Sequence, residues 1–390
     1  MSELAAAATA TSPGPGPRAV TVVTDLAEIT VPWMSGALGP AHSGPDLIGV
    51  SVVQIGQDSG HLGTSARVSL TYTAGRTPGP ETVVVKMPAQ SAESLETARR
   101  GRLYEREVRF FTDLAPHTEV RAPGCYGAGY DEEHGTFVLV LEDVEARTEC
   151  DQLLGCPPER ARQVVRELAR LHASWWERPS LREHPWLTTF LDEARIRNMS
   201  RLLEQGWPLA CARLGDRLSP QAVEIGELVL EHFDQVMRML DEPAQTLLHG
   251  DTRLDNVMFD AGVARAPVVL LDWQNVSRGP AVAELGYFLA QNLTVQDFAE
   301  HLDALVGVYC DELAARGVVD VSPETLRGTL WQALPVTFTV AAAMFVMADL
   351  SRPRALELAA VMTERAVGAA QELGLVAALA TLPTTPGDIG

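Results

Sequence analysis

The stretch from Leu247 to Gln274, LLHGDTRLDNVMFDAGVARAPVVLLDWQ, decides how the rest of the chain is interpreted. It contains two short apolar segments on either side of the turn-forming residues Asp260–Gly262. Asn256 begins the first segment and Asp272 follows the second. Two strands joined by so short a connection are expected to pair antiparallel, with the start of one beside the end of the other. The pattern therefore predicts that Asn256 and Asp272 lie close together in space.

Three polar side chains of this stretch form a set that suits phosphoryl transfer. Asp272 and Asn256 offer a carboxylate and an amide oxygen, which are the hard ligands that Mg²⁺ takes beside nucleotide phosphates. Asp251 lies one loop earlier and could accept the proton of an attacking hydroxyl. A His-Gly-Asp triplet alone is common. The order H-x-D-x-x-x-x-N followed by D, however, is that of a kinase catalytic loop and metal site.

Composition limits the kinds of protein that this chain can be. Its 390 residues allow two or three domains at roughly 100–200 residues each. The formal net charge of −20 comes from 51 acidic and 31 basic residues. Such a balance disfavours nucleic acid as a partner, because phosphate backbones need basic surfaces. It mildly suits a cationic small substrate, although solubility explains it more simply.

Several features predict a cytoplasmic protein. A monomer or homodimer is expected, although no feature of the sequence decides between them. The five cysteines are scattered without a C-x-x-C and are expected to be reduced. The Ala/Thr/Ser/Pro/Gly-rich N-terminus lacks the cationic start of a signal peptide, so a disordered tail is expected. No membrane span is expected, because no run of about eighteen apolar residues is uninterrupted. The most apolar stretch, Ala333–Met347, is predicted to be a buried helix.

A glycine-rich turn, Gly56–Ser65, separates the predicted strands Val50–Ile55 and Ala66–Tyr72. Main-chain N–H groups of such a turn can bind phosphates, with Gly60 and Ser65 as the candidate contacts. Any hairpin turn also favours glycine. The sequence G-x-x-x-x-G-K-[ST] is absent, so this is not a Walker-type loop.

A third predicted strand, Thr82–Lys86, ends on a lysine. A lysine at a strand end is usually solvated, but a kinase needs one there to hold the α- and β-phosphates. In the next predicted helix, Ala98–Leu114, Glu107 falls in the apolar row. A carboxylate on an inward face is costly unless it is paired. We therefore predict an ion pair with Lys86, and Glu105 is the competing candidate.

The chain changes from strand to helix at about Cys150. The predicted strands Cys125–Tyr130 and Thr136–Leu141 are followed by an acidic turn, Glu142–Val144, whose main chain would bind adenine. Helical patterns prevail afterwards. The predicted domains are a disordered tail (1–18), a nucleotide-binding lobe (19–143), a helical lobe with the catalytic loop and substrate pocket (144–380) and a loose tail (381–390).

The ordered set of glycine-rich hairpin, Lys86, Glu107, His249-Gly250-Asp251, Asn256 and Asp272 resembles the aminoglycoside phosphotransferase and choline kinase superfamily, which shares the protein-kinase fold. The sequences HGDTRLDN, LARLHASWW and DWQ are most similar to its ecdysteroid kinase-like branch. The resemblance covers roughly residues 20–375. It implies an α+β fold with two lobes. One is a small antiparallel sheet with one helix, and the other is larger and mostly helical.

The resemblance implies ATP and Mg²⁺ as cofactors. The acceptor would be a hydroxylated small molecule such as an antibiotic, a sterol-like compound or another secondary metabolite. Asp251 would be the catalytic base, and Asn256 and Asp272 would bind magnesium. Lys86 would hold the phosphates with Glu107 fixing it, and the acidic hinge would take the adenine.

The sequence departs from protein kinases in three places. Gly250 replaces the arginine that binds an activation-loop phosphate in protein kinases. Trp273-Gln274 replaces Phe-Gly after Asp272. The nucleotide loop lacks a clean G-x-G-x-x-G. Glu284 stands where relatives often have aspartate, and we expect it to cap or anchor the catalytic loop. His172, on the apolar face of a predicted helix, is expected to be a satisfied core histidine.

Three alternative functions follow from the same residues. The imperfect glycine loop favours a nucleotide-binding pseudokinase or sensor. A protein kinase is disfavoured by Gly250 and by the lack of an Ala-Pro-Glu-like anchor. A hydrolase using His249 and a serine lacks a G-x-S-x-G motif. The acceptor depends on the cleft around Asp251, where apolar walls would favour a lipophilic alcohol and carboxylates a polyamine sugar.

Overall fold

The computed structural model describes residues 16–42, 44–56, 62–74, 79–144, 147–148, 150–241, 244–260 and 268–382. The chain folds into two compact units, one of Met1–Thr118 with Ala122–Val144, the other of Glu119–Arg121 with Glu145–Gly390. The predicted phosphate contact Gly60 lies outside the described residues. So do most of the predicted turn at 260–262 and most of both predicted tails.

The first unit is built on a six-stranded sheet. Its strands are β1 (Arg18–Ala19), β2 (Leu47–Ile55), β3 (Gly63–Tyr72), β4 (Thr82–Pro88), β5 (Cys125–Asp131) and β6 (Thr136–Glu142). The sheet order is β1-β5-β6-β4-β3-β2, and every pairing is antiparallel except β1 with β5. Its α-helices are α1 (Val31–Leu38), α2 (Ala92–Arg100) and α3 (Leu103–Arg109).

The central strand β4 buries every second side chain. Val83, Val85 and Met87 are fully buried in the core, because successive side chains of a strand point to opposite faces and these three share one. The strand pairs with β3 on one side and β6 on the other. This register places Lys86 opposite Ser65 of β3.

The predicted continuous helix Ala98–Leu114 is wrong, because the chain breaks within it. α2 ends at Arg100, and Arg102 adopts a left-handed conformation with φ 51° before α3 begins. A π-helix then covers Phe110–Leu114. α2 is mostly polar and exposed, whereas the apolar row starts only at Leu103. The break separates this surface helix from the buried segment that carries Glu107.

The second unit contains two small sheets and ten α-helices in the part of the chain that is described. Its strands are β7 (Arg147–Thr148), β8 (Gln245–Leu248), β9 (Val257–Asp260), β10 (Val269–Leu270) and β11 (Ser277–Pro280). Its helices are α4 (Pro158–Trp175), α5 (Glu193–Leu214), α6 (Pro220–Glu231), α7 (Phe233–Met239), α8 (Ala281–Asn292), α9 (Val295–Ala314), α10 (Pro323–Thr329), α11 (Leu334–Met347), α12 (Pro353–Glu372) and α13 (Leu375–Ala380).

The predicted hairpin is present. β9 and β10 pair antiparallel with Val257 opposite Leu270, and the N–H of Leu271 donates to the carbonyl of Asn256 at 2.8 Å. β8 and β11 form a second antiparallel pair, with Leu248 opposite Ser277. The residues between β8 and β9 are therefore held between two strand pairs.

The predicted buried helix at Ala333–Met347 is confirmed as α11. The segment Pro323–Met347 is long and apolar enough to cross a membrane, but 67% of its most apolar window is buried. That degree of burial is typical of a core helix. α11 contacts α5 closely: a Cβ at Gly206 would overlap the carbonyl oxygen of Ala342.

Candidate active site

The catalytic loop is anchored on one buried carboxylate, that of Glu284 in α8. Its Oε1 accepts from Gly250 N at 2.6 Å and Thr252 Oγ1 at 3.0 Å. Its Oε2 accepts from His249 N at 3.1 Å and from His172 Nε2 at 2.9 Å. Burial opposes ionisation, but the bonds from His172 and Gly250 outweigh it and lower the pKa of Glu284. The expectation that Glu284 anchors the loop is confirmed.

His172 extends this anchor into the core of the second unit. Its Nδ1 lies 2.6 Å from the hydroxyl of Tyr309, and its Nε2 contacts Glu284. Both ring nitrogens are therefore satisfied although the side chain is fully buried. The prediction of a core histidine is confirmed.

Sequence reasoning missed a second anchor, Asn292 at the end of α8. Its Oδ1 accepts the N–H of Leu254 at 3.1 Å, and its Nδ2 donates to the carbonyl of Thr252 at 3.2 Å. The one available signal was an amide at the end of the otherwise apolar run AVAELGYFLA, since a buried amide must find partners.

Gly250 occupies a position that other residues would enter only under strain. Its φ is +84°, and a Cβ there would overlap the carbonyl oxygen of Asn275. Side chains disfavour this left-handed conformation, and the contact leaves them no room. The glycine that replaces the arginine of protein kinases is therefore required by the local backbone.

The structure brings Asp251, Asn256 and Asp272 together, as the hairpin predicted. Asn256 Nδ2 donates to the carbonyl oxygen of Asp251 at 2.9 Å. Asp272, two residues after the end of β10, takes a left-handed conformation with φ 63°. Its carboxylate is close enough to Asp251 to influence the ionisation of Asp251. A non-glycine residue in this conformation is uncommon and often marks a functional site.

The donor set suits a magnesium ion. Because Asn256 Nδ2 is engaged, its Oδ1 is the atom left to bind a ligand, and no donor among the described residues contacts it. Asp272 adds carboxylate oxygens. No group of three His, Cys, Asp or Glu side chains suited to a metal occurs in the described ranges. Two protein ligands are nevertheless what Mg²⁺ commonly takes when phosphates and waters complete its octahedron.

The surroundings of Asp251 raise its pKa and so favour its protonated form. Burial raises its pKa most strongly and the charge of Asp272 adds to this, while Arg253 and His249 act in the opposite direction. The net shift is upward. Arg253 Nε lies 3.8 Å from Asp251 Oδ2, and the Asp251 side chain is 22% exposed. A carboxylate with a raised pKa that solvent can still reach is suited to act as a general base.

A cavity of about 250 Å³ opens beside Asp251 within the second unit. Most of its wall is apolar, and its lining residues are Phe190, Arg195, Asn198, Met199, Leu202, Gly250, Asp251, Tyr287, Val336, Thr339, Val340 and Ala343. Asp251 and Arg195 are the charged members. Apart from Asp251, these lining residues include no carboxylate. Nothing in the sequence marked Arg195, which lies far along the chain from the catalytic loop.

In the first unit, the ion pair that the sequence predicted is present. Lys86 Nζ lies 2.7 Å from Glu107 Oε1, and the two side chains are 16% and 1% exposed. The competing candidate Glu105 pairs instead with Arg102 at 2.8 Å. Ser65 lies opposite Lys86 in the sheet. The roles of Lys86, Glu107 and Ser65 toward phosphate stay predictions.

The predicted adenine hinge uses part of its hydrogen-bonding capacity internally. Glu142 N donates to Gly124 O at 2.7 Å, and the Glu142 carboxylate accepts from Gly124 N at 2.9 Å. Asp143 pairs with Arg67 at 2.7 Å. The main chain of Val144 has no hydrogen bond to the described residues, so it can still bind a ligand.

A strand-rich unit with a buried Lys–Glu pair and a helical unit with this catalytic loop define a small-molecule phosphotransferase of the protein-kinase-like fold. The structure of a microcompartment-associated aminopropanol kinase is similar over 86% of this chain and 95% of its own, at 15% identity and a TM-score of 0.51. The α+β, protein-kinase-like fold is therefore confirmed.

Two further solved structures are similar to this chain. Choline kinase LicA from Streptococcus pneumoniae covers 81% of this chain and 94% of its own, at 14% identity and a TM-score of 0.45. The GDP and kanamycin complex of APH(2″)-IIIa covers 80% and 93%, at 14% identity and 0.48. No curated protein matches the sequence. The ecdysteroid kinase-like family model matches residues 60–317, so this chain belongs to the ecdysteroid kinase-like family, as its motifs indicated.

Proposed function

We propose that this protein transfers the γ-phosphoryl group of ATP to a hydroxyl of an organic small molecule. The observation that carries the proposal is the position of Asp251. Its carboxylate has a raised pKa, lines the cavity and adjoins both Asn256 and Asp272. Nucleotide use is further supported by membership of the ecdysteroid kinase-like family.

In the proposed reaction, Asp251 accepts the proton of the acceptor hydroxyl as its oxygen forms a bond to the γ-phosphorus. The bond between the γ-phosphorus and the bridging oxygen breaks, and ADP leaves. Glu284 and Asn292 hold the loop main chain, so that Asp251 is oriented before the acceptor arrives. Catalysis is then mostly alignment and charge neutralisation.

The phosphates need positive charge, which this chain would supply in two ways. Asn256 and Asp272 would hold Mg²⁺, which neutralises charge on the phosphate oxygens. Lys86 would bind the α- and β-phosphates, with Glu107 fixing its ammonium group. The main chain of Val144 would bind the adenine.

The test is an ADP-release assay with ATP across a panel of hydroxylated metabolites, with phosphorylated product identified by mass. Asp251→Asn should lower kcat by about 10²-fold or more and leave the affinity for an ATP analogue unchanged. Asp272→Asn should raise the Mg²⁺ concentration needed for activity. Near-wild-type turnover by Asp251→Asn would contradict the proposed base. Nucleotide binding without product from any acceptor would instead favour the pseudokinase alternative.

A further inference from the structure

The cavity is lined by the guanidinium of Arg195, which forms no salt bridge with the described residues. No Asp or Glu among the described residues lies within 4.0 Å of the Arg195 guanidinium. A guanidinium carries five N–H donors. Among the described residues, one acceptor contacts that of Arg195: Ser277 Oγ, which lies 3.5 Å from Nη1. The Arg195 guanidinium carbon also lies 4.5 Å from the ring centroid of Phe190. Arg195 is thus held in place by weak contacts, with most of its donors unused.

We propose that Arg195 binds a carboxylate of the acceptor, so that the protein selects hydroxylated acids with an apolar skeleton over neutral alcohols and amines. This inference rests on the proposed function, and it concerns which acceptor the same site takes. A planar guanidinium matches a carboxylate through two parallel hydrogen bonds, which a lysine does not reproduce.

The placement of Arg195 on α5 supports contact with the acceptor. Arg195, Asn198, Met199 and Leu202 all line the cavity, at the spacing of three, four and seven residues that puts side chains on one face of a helix. Arg195 therefore belongs to the wall that would contact the skeleton of a bound molecule.

The charges around the cavity favour an anion at this position. The carboxylate of Asp251 faces Arg253, whose Nε is 3.8 Å away, so its charge is already partly balanced. Burial lowers the pKa of Arg195 to about 10, opposed by the charges of Asp251 and Glu284. Arg195 stays protonated at neutral pH, and an arriving carboxylate would offset the cost of its burial. A polycationic acceptor would meet repulsion there.

The Arg195 guanidinium could instead neutralise the negative charge of the phosphoryl group during transfer. That role would affect every acceptor equally and would appear in kcat, whereas carboxylate binding would appear in KM for acids alone. The two roles are therefore separable by comparing acceptors that differ in a single charged group.

The experiment uses 8-hydroxyoctanoate, 1,8-octanediol and 8-amino-1-octanol with the full-length chain and its variants Arg195→Met and Arg195→Lys. Arg197→Met is the matched control, because that arginine lies on the same helix with its side chain 70% exposed. Binding is measured by calorimetry without nucleotide, and transfer by steady-state kinetics. The wild type should bind the acid about 10- to 100-fold more tightly than the diol. Arg195→Met should remove that preference by weakening the acid alone, and Arg195→Lys should restore it partly.

The outcomes separate this inference from the proposed function. Preferential binding of the acid that is lost in Arg195→Met but kept in Arg197→Met supports the inference, whether or not transfer occurs. If this binding pattern is seen without any transfer, the result counts against the proposed function only. Equal binding of acid and diol, or failure of the acid to bind, overturns the inference. An equal fall in kcat for acid and diol in Arg195→Met also overturns it, in favour of a role at the phosphoryl group.

Discussion

Glu284 Oε1 lies 2.6 Å from the main-chain nitrogen of Gly250 and accepts its hydrogen bond. This contact joins a fully buried helix to the middle residue of the catalytic triplet. The same carboxylate receives the N–H of His249 and the hydroxyl of Thr252. Glu284 therefore holds the residues on both sides of Asp251.

Replacing Glu284 by Gln should destabilise the second unit by about 2–4 kcal/mol, because an amide cannot accept from all of these donors. The pKa of Glu284 is lowered in the folded state. Its contribution is therefore present above the unfolded-state pKa and is lost as pH falls through the folded-state pKa. Denaturant unfolding should show the largest difference near neutral pH and a smaller one in acid. Glu300→Gln, at an exposed position of α9, is the control. A loss that does not depend on pH would contradict this account of the anchor.

The backbone of Gly250 gives a second prediction. Gly250→Ala should cost about 1–3 kcal/mol from its positive φ alone, and more from the overlap with the Asn275 carbonyl. Activity should fall as well, since Asp251 follows directly. The matched control is Gly307→Ala in α9, where a Cβ meets nothing within 4 Å. That substitution should leave stability unchanged or raise it by about 0.5–1 kcal/mol. Equal thermal midpoints for the two variants would refute the strain argument.

Variants of the Lys86–Glu107 pair separate its contribution to stability from the proposed role of Lys86 in phosphate binding. Lys86→Met should lower stability by about 2–4 kcal/mol, because it leaves a buried carboxylate without its ammonium partner. Adding Glu107→Gln should recover part of that loss. Activity should not recover, since phosphate binding needs the cation. The measurements are urea unfolding and KM for ATP. If the double variant regains activity with stability, Lys86 has no role at the phosphates.

Replacing Asp251 by Asn should keep or raise stability although it removes activity. Its pKa is raised in the folded state, so the folded protein binds this proton more tightly and the free energy of unfolding falls as pH rises toward the folded-state pKa. Asn approximates the neutral acid. Asp251→Asn should therefore have an equal or higher thermal midpoint at pH 7, with the difference vanishing in acid. The wild-type kcat/KM should fall as pH drops through the raised pKa. A lower midpoint at neutral pH would contradict the shift.

Predictions from local pattern succeeded where one periodicity governed a segment. Short-range sequence alone predicts the valine-rich strand β4, the antiparallel pair of β9 and β10 and the apolar helix α11. The helix break at Arg102 was missed, because a polar segment before an apolar row still fits one amphipathic helix. Location in the cell and oligomeric state stay predictions.

Part of the site could be inferred because chain order and spacing already constrain it. Asp251, Asn256 and Asp272 lie on one hairpin and its preceding loop, so strand pairing alone brings them together. The pairing of Lys86 with Glu107 followed from the cost of a lone buried carboxylate.

The sequence by itself determined the family, the strand pair that gathers Asp251, Asn256 and Asp272, and the Lys86–Glu107 ion pair. Those features depend on neighbours close along the chain or on a charge that must be balanced. Only the tertiary structure decided that Asn292 holds the loop and that Arg195 lines the cavity beside Asp251. Both depend on which helix faces which, and that is set by side-chain packing across the whole second unit.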